Sequence, residues 1–71
     1  MNSNKKLEDK IIFNIKRLMK YKNISQKYLA DMLGFSAQMM SLLLSKQRKL
    51  NLEHIDSICK ALDVEMFELI I

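Results

Sequence analysis

Two side chains in the sequence carry chemistry of the kind used by enzymes and metal sites, His54 and Cys59, and their spacing defeats both uses. Five residues apart on a helix they face different directions, and no second histidine or cysteine completes a ligand set. No nucleophile with a partner base, no phosphate-cradling glycine loop and no paired carboxylates accompany them, and 71 residues leave little room for a pocket. The expectation is therefore no enzyme, and no metal, cofactor or small-molecule ligand. His54 reads as an exposed helix residue. Cys59 reads as a small core residue, and a lone cysteine calls for no oxidising compartment.

Chemistry of another kind lies in "SKQRKL", residues 45–50, where Lys46, Arg48 and Lys49 gather fixed positive charge. The net charge of +4 hides an asymmetry. Eleven of the twelve Lys/Arg precede residue 51 and meet only Glu8, Asp9 and Asp31, a formal +8; after it Lys60 stands against five acids, a formal −4. One end of the chain is built to meet an anion, either nucleic acid or an anionic membrane, unless the charge merely solvates a face. The elements that would hold these cations have to decide.

Hydrophobic residues make up 49% of the chain, proline is absent and glycine occurs once, which favours long uninterrupted helices over turns and strands. One all-α domain is expected. The start, "MNSNKKLEDK", is polar with no apolar run behind it, and no stretch approaches the roughly 20 apolar residues of a membrane span. A cytoplasmic protein without membrane contact follows, with residues 1–6 a flexible basic arm and 7–71 the folded domain.

Leu7, Ile11, Ile12, Ile15, Leu18 and Met19 recur at spacings of three and four, one stripe of an amphipathic helix. Lys10, Asn14, Arg17 and Lys20 or Tyr21 fall off it. Asn23 suits a left-handed helix end, Ser25 an N-cap, and "QKYLADML" makes a helix of about two turns burying Leu29, Ala30 and Leu33. Gly34 turns the chain sharply and Ser36 caps a third helix, Ala37 to about Leu44. After the basic loop, Asn51 caps a fourth helix striped by Leu52, Ile55, Ile58, Cys59 and Leu62. "DVEMFELII" supplies a short fifth.

In "ISQKYLADMLGFSAQMMS" and "IDSICKALDVEMFEL" the chain resembles the Cro/cI-type helix-turn-helix repressors, the XRE family of small DNA-binding regulators, from about Ile15 to Leu69. Gln26, Leu29, Ala30, Gly34, Ser36, Met40 and Ser41 all stand at the family's offsets. The resemblance implies a compact five-helix bundle of the lambda-repressor-like type, with helices 2 and 3 as the motif and helix 3 as the recognition helix entering the major groove. It implies double-stranded DNA as partner, with an inverted-repeat operator read by a homodimer. The expected role is transcriptional regulation, most simply as a repressor occluding a promoter.

Carried over by position, Gln26 is expected at a phosphate, with Ser36 and Met39 at the start of helix 3 and Lys46, Arg48 and Lys49 along the backbone. Lys16, Arg17 and Lys20 would add to the field. Ala37 and Gln38 match the base-reading positions: Gln38 can pair with adenine N6 and N7, the Ala37 methyl can sit on a thymine methyl, and Ser41 and Leu42 follow one turn on. A surface Gln without a role is the bland alternative.

Two departures from the family stand out. Many members carry an Arg at the position of Met19 and a Glu at that of Leu44, a buried ion pair; here both are apolar, a compensated exchange that implies Met19–Leu44 contact. Met39 and Leu42 are apolar where the family is usually polar, so either they meet thymine methyls or the domain is a protein-interaction module docking a partner there. The C-terminal Phe67, Ile70 and Ile71 are expected either to form the dimer contact or to close the core.

Overall fold

The computed structural model describes residues 3–71, the first three by backbone alone. The described chain winds into five helices and no strand: α1 Ser3–Lys22, α2 Gln26–Leu33, α3 Ala37–Leu44, α4 Leu52–Leu62 and α5 Phe67–Ile70. It is the all-α five-helix fold the sequence pattern calls for. α1 begins at Ser3 and not at Leu7, so the helix takes in residues 3–6 of the expected arm; Met1 and Asn2 lie outside the described residues.

Local side chains start the middle three helices. Ser25 Oγ accepts from Tyr28 N and Ser36 Oγ from Met39 N, each at 3.0 Å. At α4, Asn51 Oδ1 accepts from His54 N at 2.8 Å while His54 Nδ1 accepts from Asn51 N at 3.3 Å, a reciprocal capping box with histidine in the usual glutamate place.

All four junctions between helices use one device. Asn23, Gly34, Lys46 and Asp63 take left-handed conformations at φ 61°, 72°, 67° and 58°. At each, the left-handed residue's N–H donates three residues back and the next N–H donates five back, for example Gly34 N to Asp31 O and Phe35 N to Ala30 O. Helix carbonyls that would otherwise be orphaned are satisfied in these turns. Nothing lies within 4 Å of where a Gly34 Cβ would sit, so glycine is there for its φ and not for space.

The core joins Ile11, Ile12, Ile15, Leu18 and Met19 of α1 to Leu29 and Ala30 of α2 and Met40, Leu43 and Leu44 of α3; Leu50, then Ile55, Ile58, Cys59 and Leu62 of α4, and Leu69 of α5, complete it. Three residues depart from the expected stripes: Leu33 is only half-buried, and Leu7 and Leu52 are exposed. Leu7 lies a full turn before the buried Ile11, and Leu52 occupies the first position of α4, next to the exposed Asn51 cap. Asn14, expected on the outer face, is buried; its Nδ2 donates to Leu69 O at 2.6 Å and ties α5 to α1.

Candidate nucleic-acid interface

Helices α2 and α3 are joined by the three residues Gly34–Phe35–Ser36, and side chains of both pack into one core. The small Ala30 is buried beside Leu29, and Phe35 packs inward against the same core. Phe35 also meets the His54 ring edge-on, with centroids 5.4 Å apart and planes at 81°. His54 is thus half-buried, correcting the expectation of an exposed residue. It ties α4 to the turn between α2 and α3.

The helical period then divides α3 by face. Met40, Leu43 and Leu44 are buried, while Ala37, Gln38 and Ser41 are exposed. Gln26 is likewise exposed at the first position of α2, beside the Ser25 cap. Met39 and Leu42 are half-buried, and Met39 packs against the core. The Met39 N–H is held by the Ser36 hydroxyl, which itself stays exposed. Packing thus takes up part of the Met39 surface that a docking module would use.

The basic loop is folded back on the end of α3, with the Leu42 carbonyl taking most of its hydrogen bonds. Leu42 O accepts from Gln47 N at 3.0 Å, Arg48 N at 3.1 Å and Ser45 Oγ at 3.2 Å. Arg48 is thereby kept within a turn of the helix. Arg48 and Lys49 are exposed and, among the described residues, form no ion pair. Lys46 differs, since its Nζ lies 3.0 Å from Asp9 Oδ1 on α1.

On α1, Lys16, Arg17 and Lys20 are exposed, and the Arg17 guanidinium leans on Asn14 Oδ1 through Nε and Nη2, both at a long 3.4 Å. Met19 and Leu44 lie in the one core, with no charge at either position. At the other end of the chain Leu69 is fully buried, whereas Phe67, Ile70 and Ile71 are 58%, 45% and 70% exposed. Core closure therefore falls to Leu69 alone in α5. Cys59 is buried, and its thiol is pushed up from its ordinary value by burial first and by Asp56, Glu65 and Glu68 after it, which keeps it protonated and unreactive.

Three contributors escaped the reading of the sequence: Glu8 and Asp9, which reach the loop from α1, and Asn14. Asn14 alone left a signal, because it stands three residues after Ile11 and four before Leu18, at the margin of the buried stripe. The acids left none.

A family model for the Cro/C1-type HTH DNA-binding domain matches residues 14–71. The chain belongs to the Cro/C1-type helix-turn-helix family. No curated protein and no solved structure matches it. As a Cro/C1-type domain it has α2 and α3 as the motif, and the match takes in every element from the middle of α1 to the end of α5. No helix among the described residues is long and apolar enough to cross a membrane.

Proposed function

We propose that this Cro/C1-type domain is a small transcriptional regulator, a repressor, that reads double-stranded DNA by laying α3 in the major groove. Gln38 reads adenine, Ala37 and Leu42 meet thymine methyls, and Ser41 reaches a base edge. Gln26 and the Ser36 hydroxyl hold phosphates at two capped helix starts, with Met39 seated behind Ser36, and the cations of the loop 45–50 lie along the backbone. Two copies joined through Phe67, Ile70 and Ile71 occupy an inverted repeat, their recognition helices one DNA turn apart.

The observation that carries this reading is the exposed start of α3 at Ala37 and Gln38, set opposite a buried face, with exposed cations in the loop that directly follows the helix. An apolar docking surface has no use for that charge.

Selection of bound sequences from random DNA tests it most directly. An enriched motif with two-fold symmetry is expected, and Gln38→Ala should relax the preference at one position per half-site by about 1–3 kcal/mol while leaving the rest of the motif intact. Recovery of unenriched DNA would sink specific reading, and a strictly monomeric mass by light scattering, free and with the selected DNA, would sink the dimer.

A further inference from the structure

Three of the four turns that end helices close on an apolar side chain packed against the core: Ile24, Phe35 and Val64 follow Asn23, Gly34 and Asp63. The turn after α3 does not. Its closing residue is the exposed Gln47, and its left-handed residue is Lys46, alone of the four in being neither glycine nor Asn nor Asp. That conformation is uncommon for a lysine and stores a little backbone strain.

Two carboxylates of α1 meet this loop at its two ends. Asp9 Oδ1 stands 3.0 Å from Lys46 Nζ, and Glu8 Oε2 accepts from Leu50 N at 3.4 Å, just where the buried Leu50 side chain anchors the loop's exit. Asp9 Oδ1 is closed off from solvent and has no aligned hydrogen-bond donor, so the Lys46 charge is what compensates it. Arg48 and Lys49 lie between the two grips and remain exposed.

We propose that Glu8 and Asp9 are positioning residues of the DNA interface: they hold the basic loop against α1, and Asp9 keeps the Lys46 charge for itself, so that Arg48 and Lys49 are the loop cations that clamp phosphate. This rests on the DNA-binding reading above and sharpens it, since Lys46 becomes an anchor and not a phosphate ligand.

The test is the salt dependence of binding to a short random-sequence duplex, in which each lost phosphate contact lowers the log-log slope by about 0.9. Arg48→Gln and Lys49→Gln should each lower it by about that amount, and Lys46→Gln by clearly less than either. Asp9→Asn, which frees Lys46, should steepen it by about 0.9. A slope lowered as much by Lys46→Gln as by Arg48→Gln would overturn the proposal.

Two measurements without DNA separate the clamp from the reading it serves. In urea unfolding, Asp9→Asn and Lys46→Gln should be coupled, by about two- to fivefold in the folding equilibrium constant for a pair whose side chains are only partly covered. Amide exchange at Leu50 should quicken in Glu8→Ala and be restored in Glu8→Gln, which keeps an acceptor oxygen. Strict additivity together with unchanged Leu50 exchange would overturn the clamp whatever the DNA result, and flat salt slopes in every variant would overturn DNA binding and the phosphate assignment together.

Discussion

The two ends of α3 are built on the same backbone turn and do opposite things. Before it, Gly34 and Phe35 fold inward: glycine takes the left-handed position without strain, and the Phe35 ring packs on the core and against His54. After it, Lys46 and Gln47 form the same pair of hydrogen bonds and face outward. Identical backbone geometry thus gives a fixed hinge at one end and a displayed loop at the other, and the closing side chain makes the difference. For the recognition role proposed for α3 this division would be useful, because base reading at the N-terminal end needs a rigid frame whereas phosphate contact at the C-terminal end needs charge in solvent.

The comparison breaks first if the buried side of α3 is hollowed. Leu44→Ala and Met19→Ala should each destabilise the domain by about 2–5 kcal/mol in urea unfolding, because both side chains are buried in one well-filled core. If they touch, as the loss of the family's ion pair implies, a double-mutant cycle will show coupling of about 0.5–3 kcal/mol. Strict additivity would mean that the exchange of an ion pair for two apolar residues is compensated through separate neighbours.

A smaller effect contrasts the two closing residues directly. Phe35→Ala removes a half-buried ring and its edge contact with His54, and should cost about 2 kcal/mol. Gln47→Ala removes an exposed side chain whose Nε2 donates only to Ser45 Oγ, and should stay within about 0.5 kcal/mol of the parent. A Gln47 variant as damaging as the Phe35 one would show that the loop is packed and not displayed.

How much of this was legible in the sequence follows from the range of each interaction. The caps at Ser25, Ser36 and Asn51, the turn at Gly34 and the stripes of α1 and α4 are written within a few residues, and α2, α3 and the main-chain course of α4 follow from them. The exposed face of α3 was legible for the same reason, since a 3.6-residue period sorts Gln38 and Ser41 from Met40 and Leu43. Asn14 was misread because its partner, Leu69 O, lies 55 residues away, and Glu8 was given no role because Leu50 lies 42 away. His54 was misread for a chemical reason: an imidazole nitrogen can take the place of a carboxylate in a capping box, and its ring can lie against Phe35 while it does so. Residue type announces charge and polarity, and long-range pairing then decides where they are used.

The smallest expected effect isolates the left-handed position itself. Gly34 and Lys46 have nearly the same φ, 72° and 67°, so exchanging side chain and no side chain should give opposite signs at the two ends of α3. Gly34→Ala introduces a Cβ that meets nothing within 4 Å, so its penalty is pure backbone strain, partly offset by the lower entropy of the unfolded chain, for a net loss of about 1 kcal/mol. Lys46→Gly is best made in an Asp9→Asn background, where the ion pair is already gone; relief of the strained Lys outweighs the extra freedom of glycine in the unfolded state and should stabilise the domain by roughly 0.5 kcal/mol. Equal signs in thermal unfolding would mean that the loop after α3 shares the packing constraints of the turn before it.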